Sequence, residues 1–121
     1  MTVQQMMQAL PVLQKLLELP LPVRKAHKIF SLAKTFNEQR TFFSKEEYKL
    51  IEKYHAKVMD NGGIQFQSLE DKTGFTQEHQ ELMGYELAEC EKIELSFDEL
   101  QNIELTPKDI MLLEGVIDII E

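Results

Sequence analysis

Cysteine is nearly absent from the sequence, and long apolar runs are missing altogether. The only cysteine, Cys90, has no partner for an internal disulfide bond, which fits a reducing compartment. No apolar run approaches the roughly 18 residues that a membrane-spanning helix needs. The first residues, MTVQQMMQALPVLQ, lack the basic start and the small-residue cleavage site of a signal peptide. We therefore expect a protein of the cytoplasm, or of a particle assembled there, with no membrane partner.

Motifs for metal binding and catalysis are missing as well. The stretch EHQE at residues 78–81 is not HExxH, and the three histidines lie far apart, at His27, His55 and His79. No glycine-rich phosphate loop and no GxSxG occurs. Carboxylates are plentiful, but catalysis needs two of them in one cavity with shifted pKa values. We expect no metal, no cofactor and no enzymatic activity; the weakest alternative is a small hydrolase or metal enzyme with a site at Glu78, His79 and Glu81.

Charge is divided unevenly along the chain. The 121 residues are enough for a single domain, 1–121, with a modest core, and the net charge is −8. Residues 1–58 hold ten basic and five acidic residues, whereas residues 59–121 hold three basic and sixteen acidic ones. Oppositely charged halves can attract each other within one molecule or between copies, or bind a polyion. Direct binding of nucleic acid is disfavoured, because the acidic half repels the same polyanion that the basic half attracts.

The basic half, 1–58, is predicted to be helical. Its first segment has an apolar stripe with helical spacing, interrupted by Pro11: Val3, Met6, Met7, Leu10, Leu13, Leu17. Pro11 predicts either a kink near residues 7–11 or a second helix that starts at this proline. After a turn at 19–22, a long helix is expected to bury one wide face: Val23, Ala26, Ile29, Phe30, Leu32, Ala33, Phe36. The capping signature SKEE at Ser44 leaves an interruption open, but we favour a nearly continuous helix over 22–58.

A basic stripe follows on the same predicted helix. Lysines recur every four residues and lie opposite the apolar side: Lys45, Lys49, Lys53, Lys57. A solvated helix face is the simpler interpretation of this stripe, and a face that binds an anion or a protein partner is the alternative.

The acidic half, 59–121, is predicted to mix strands and helices. A glycine turn at 61–63 precedes a short strand at 64–67, and after a loop at 68–74 a helix is expected to start near Phe75. Strict alternation indicates a second strand at 91–97, which we expect to pair with the first and to lie against the long helices.

A last helix is predicted from Pro107 to the final residue. Thr106 is a suitable cap, and the helix is so apolar that it must be buried on two sides or docked onto another subunit. The candidate interaction surface therefore combines this helix, the lysine stripe and the acidic segment: Ile110, Leu113, Val116, Ile117, Ile120, Lys45, Lys49, Lys53, Lys57, Glu89, Glu91, Glu94. The predicted fold is α+β and mainly α: a long helix with the N-terminal helix packed antiparallel to it, two short strands and two shorter C-terminal helices.

The order of motifs resembles a family of small proteins of unknown function from tailed phages and prophages. The resemblance covers about residues 19–120 and rests on the long charged helix with its KY pair, the glycine turn, an F…E..EL helix and an LTP helix: Lys53, Tyr54, Phe75, Glu78, Glu81, Leu82, Leu105, Thr106, Pro107. It implies a viral setting and a small accessory role, and it carries no activity or site residue.

Two functional hypotheses follow. The leading one is a non-enzymatic phage or prophage protein that acts through protein–protein contact, as a homo-oligomer or as a component in particle assembly, in the host cytoplasm or in the virion. The rival is an inhibitor of a host protein, in which the acidic segment 86–104 imitates nucleic acid.

Overall fold

The computed structural model describes residues 1–121 and has four helices and two short pairs of strands. In chain order the elements are α1 (Val3–Leu16), α2 (Val23–Lys53), β1 (Lys57–Val58), β2 (Ile64–Gln65), α3 (Leu69–Met83), β3 (Ile93–Ser96), α4 (Pro107–Leu113) and β4 (Ile117–Ile120). The predicted class, α+β and mainly helical, is confirmed, and α1 packs against α2. One core cluster contains 17 of the 19 buried residues, drawn from both halves of the chain.

Helix α1 passes through Pro11 without ending, so the predicted second start at this proline is wrong. Thr2 and Gln5 close a capping box at the beginning of the helix. Pro11 itself is exposed, and interior proline costs about 3 kcal/mol. Seven side chains of α1 are buried, which offsets that cost: Val3, Met6, Ala9, Leu10, Val12, Leu13, Leu16. Leu17, which the stripe placed inside, is exposed beyond the helix end.

Helix α2 is continuous over 31 residues, and the SKEE signature does not interrupt it. It ends at Lys53 rather than near residue 58, because His55 adopts a left-handed backbone (φ 54°) and the chain then enters β1. The predicted inner face is confirmed at its centre by Ile29, Leu32, Ala33 and Phe36. Val23 and Phe30 are corrections, since they are 86% and 56% exposed.

Strand β2 pairs antiparallel with β1, not with the strand at 93–96 as predicted. Gly62 supplies the positive φ of 85° that the connecting turn requires. The predicted loop at 68–74 is instead the start of α3, where the Ser68 hydroxyl accepts a hydrogen bond from the Asp71 backbone N–H. Gly74 suits this helix because the Tyr54 ring packs against its backbone; a Cβ there would lie 2.4 Å from Cε1 of that ring.

The predicted terminal helix ends at Leu113, and the remaining isoleucines form a strand. Thr106 caps α4 as expected, and Asp109 completes a capping box, but β4 then pairs in parallel with β3, with Ile93 opposite Ile117. β-Branched residues favour strands, and the long connection through α4 is what parallel neighbours require. Because α4 packs against α1 and β3 contacts α2, this β3–α4–β4 unit closes the core against both helices.

Removing a core side chain from the terminal segment tests this placement. Leu113 is 1% exposed and Met111, on the same short helix, is 63% exposed. We expect Leu113→Ala to lower the free energy of unfolding by about 2–5 kcal/mol, because it leaves a cavity. Met111→Ala, the matched control, should change it by less than about 0.5 kcal/mol. Denaturant unfolding followed by circular dichroism measures both, and equal small effects would contradict burial of Leu113.

Candidate binding cleft and acidic surface

Most of the apolar residues predicted to form a docking face lie in the protein's own core. Leu113, Val116 and Ile117 are at most 4% exposed and belong to the main core cluster. Ile110 and Ile120 remain accessible, at 44% and 38% exposure. The helical prediction was wrong because residues 117–120 form a strand, which turns alternate side chains inward and leaves no continuous helical face.

The predicted lysine stripe is divided between two elements. Lys45, Lys49 and Lys53 are exposed on α2, whereas Lys57 is exposed on β1 and does not extend the helical row. Lys49 pairs with Glu46 on its own helix, Nζ to Oε1 2.9 Å. Lys45 makes no ion pair and lies along a shallow groove on α2, which is lined by Arg40, Thr41, Ser44, Lys45, Tyr48 and Lys49.

Three lysine–carboxylate pairs join the basic half to the acidic half, in addition to the contacts of the Met1 amino group with Glu86 and of His79 with Glu47. The Nζ to carboxylate distances are 3.0 Å for Lys15–Asp109, 2.7 Å for Lys25–Glu99 and 2.9 Å for Lys53–Glu78. Setting these pairs aside leaves seven basic and five acidic residues in 1–58, and three basic and thirteen acidic ones in 59–121. The basic half is thus close to balance, and the acidic half keeps a large excess of negative charge.

Glu89, Glu91 and Glu94 belong to this excess. All three are exposed and none makes an ion pair. The strand register sets Glu94 beside Asp118, which is also exposed, on the open face of the β3–β4 sheet. Like charges on neighbouring strands, about 4.8 Å apart, repel each other, so this pair favours a cation that lies over it.

The carboxyl of Glu99 ties β3 to α2. The Lys25 ammonium, together with the backbone N–H of Ser96, holds the pKa of Glu99 below its usual value of 4.5. Asp109 is similar: the Lys15 ammonium and the backbone N–H of Thr106 hold the pKa of this carboxyl below its usual value. Both carboxylates therefore stabilise the fold through these contacts and are not free to bind a partner.

The residues of the weakest alternative, Glu78, His79 and Glu81, are not assembled into a site. Glu78 pairs with Lys53, and His79 Nε2 lies 2.8 Å from Glu47 Oε2. The His79 ring also stacks on Phe75, with the ring centroids 5.2 Å apart, while Glu81 is exposed. The structure has no group of three or more His, Cys, Asp or Glu side chains placed to hold a metal ion.

A cleft of about 780 Å³ lies between α2 and the chain that leads into β3. One wall is a polar stripe on α2 with a spacing of four residues: His27, Ser31, Thr35, Gln39. The opposite wall is the segment 87–92, which includes Glu89 and Glu91. Leu32, Phe36, Ile93 and Val116 give the cleft an apolar base. Its size and its mixture of apolar and polar lining are those of ligand-binding cavities.

Sequence reasoning found only one wall of this cleft. Glu89 and Glu91 were predicted contact residues, but the α2 stripe has the composition of a solvated helix face, and no pattern in it signals a facing strand. Val116 was predicted to lie on a helix. It lines the cleft because it directly precedes β4, a strand that was not predicted.

Comparison with protein-family models, curated proteins and solved structures finds no match to this chain. The resemblance to phage proteins therefore stays a prediction. None of the helices has the length and apolar character needed to span a bilayer.

The ion pair of Glu99 makes stability depend on pH. Because the pKa of Glu99 is lower in the folded state, its contribution is complete above the usual value of 4.5 and is lost as the pH falls through the folded value. Glu99→Gln should therefore melt at a lower temperature than the wild type near neutral pH, and the difference should shrink as the pH falls below 4.5. Melting followed by circular dichroism measures this.

The control for this experiment is Asp98→Asn, since Asp98 is the exposed neighbour and makes no ion pair. Its difference from the wild type should be small and should change little with pH. A gap between Glu99→Gln and the wild type that widens in acid would contradict the assignment.

Proposed function

We propose that this chain is a non-enzymatic accessory protein of a tailed phage or prophage, in the host cytoplasm or in the virion, that acts through protein–protein contact in particle assembly. The observation that carries the proposal is the acid excess of residues 59–121, thirteen acidic against three basic residues once the three lysine–carboxylate pairs between the halves are set aside. A surface of this kind attracts a basic protein surface and orients its approach.

A second copy of the chain is one such partner. The groove on α2 carries Arg40 and Lys45 without ion pairs, next to the exposed ring of Tyr48. Exposed aromatic and arginine side chains are enriched at protein interfaces. Contact between this groove and the acidic surface of a neighbouring copy joins two different patches, and such heterologous contacts build rings or filaments. This kind of growth suits a component of a particle.

A second candidate function is inhibition of a host protein by imitation of nucleic acid. The observation in its favour is the pair of exposed carboxylates at Glu94 and Asp118, side by side on one sheet face. Imitation of a duplex needs rows of charges with regular spacing. The register supplies one such pair, so assembly by protein contact is the better supported function.

Static light scattering tests self-assembly. At low ionic strength and micromolar concentration we expect a molar mass well above the monomer mass of 14.1 kDa, and at high ionic strength a shift toward the monomer, because salt screens the contact. Lys45→Glu should reduce the mass at low ionic strength.

Lys72→Glu is the matched control, because Lys72 is an exposed lysine on α3 without an ion pair and the change in net charge is the same. It should assemble like the wild type. A protein that stays at 14.1 kDa under all these conditions would rule out self-assembly as the function of the α2 groove.

A further inference from the structure

The backbone of residues 88–92 has no hydrogen-bond partner within the protein. The N–H groups of these five residues donate to no backbone or side-chain acceptor, and their carbonyl groups accept from no donor. Such groups form the template to which another strand adds.

This segment runs without a turn between two points where the chain is held. At one end Glu86 forms a bridge with Thr2, and Leu87 N–H donates to the Met1 carbonyl; at the other end Ile93 N–H donates to the Val116 carbonyl as β3 begins. No turn or bend occurs over residues 87–92. A strand of five residues spans about 17 Å, so the segment has the number of residues of a typical strand. The unpaired backbone is thus anchored at both ends.

The cleft lies along the edge of this segment. All seven residues from Leu87 to Ile93 line it. Side chains of an extended chain alternate between opposite faces, so a cavity on one face would touch only every second residue. The seven consecutive residues that line the cavity therefore bring backbone N–H and C=O groups to it as well as side chains. The facing wall is the polar stripe of α2, whose side chains His27, Ser31, Thr35 and Gln39 form no hydrogen bonds within the protein.

We propose that the cleft binds an extended peptide segment of a protein partner, which adds as a strand along residues 88–92 and lies between them and α2. The inference rests on the proposed function, since it names the kind of segment through which the partner is held. Strand addition beside a helix obtains affinity from main-chain hydrogen bonds and specificity from alternate side chains.

The chemistry of the cleft defines that peptide. Its apolar side chains cover Leu32, Phe36 and Ile93, and its basic side chains meet Glu89 and Glu91, which make no ion pair within the protein. Lys28 and Lys92 also line the cleft without ion pairs, so the preference for a basic segment comes from the acid excess of the surrounding half and not from the lining alone. The excess of acid over residues 59–121 attracts the same basic segment from a distance. Alternation of lysine or arginine with valine or isoleucine satisfies both requirements.

The experiment uses the synthetic hexapeptide acetyl-Lys-Val-Lys-Val-Lys-Val-amide and the isotope-labelled full chain, observed by NMR. On titration, the amide resonances of Ala88 to Lys92 should shift and their hydrogen exchange should slow, whereas the amides at the start of α3 should not change. The same peptide N-methylated at all six residues, which cannot donate from either edge of the strand, should bind on the order of tenfold more weakly. Equal binding of the methylated peptide would overturn strand addition.

Two variants at one position give the matched protein control. Proline at residue 90 removes one N–H that has no partner in the free protein, and it suits an extended backbone, so folding should be retained. Cys90→Pro should therefore weaken the peptide on the order of tenfold, and Cys90→Ser should leave it unchanged. Melting curves of both variants establish that each one folds.

Exchange of lysine for glutamate in the peptide tests the charge requirement, and the glutamate version should not bind. Equal binding of both versions would overturn the basic character of the segment. Failure of the lysine peptide to shift residues 88–92 would overturn the cleft proposal, while salt-dependent assembly in light scattering would still support the proposed function. If light scattering shows no assembly while the lysine peptide still shifts the amides of residues 88–92, self-assembly is rejected and the cleft proposal is supported.

Discussion

Burial of α1 is the interaction on which the rest of the structure depends. Half of its 14 residues are buried, and it packs against α2, α3 and α4. The basic half and the acidic half therefore share one core instead of touching only through their charges. The ion pairs Lys15–Asp109 and Lys25–Glu99 lie at the edge of this packing, where they determine which residues of the two halves face each other.

Local signals predicted local structure well. The cap at Thr106, the first-turn Pro107 and the alternation around Ile93 act within a few residues, so the sequence was enough to place the start of α4 and strand β3. Two of the misses have a different cause, because a contact distant in sequence decided each of them. Gly74 was predicted in a loop, but it lies in α3, where the Tyr54 ring packs against it. Residues 117–120 were predicted as helix, but they pair with β3 and form a strand.

The same contacts determine which parts of the candidate site were predictable. Glu89 and Glu91 stood out by composition, whereas the opposite wall of the cleft depends on how α2 lies against the chain entering β3. Pairing of β3 with β4 satisfies only one edge of β3, and the chain before it extends past the start of β4 with its backbone unpaired. A short parallel sheet thus supplies both an acidic face, at Glu94 and Asp118, and an anchored strand edge beside the cleft.

The most direct test of the central claim is native-state hydrogen exchange across the whole chain, measured by NMR. If α1 joins the two halves into one cooperative core, the slowest amides of α1, α2 and the β3–β4 sheet should open with one common free energy, equal to that of global unfolding. Amides of β3 and β4 that open at a clearly lower free energy than those of α1 and α2 would contradict it, since the acidic half would then unfold by itself.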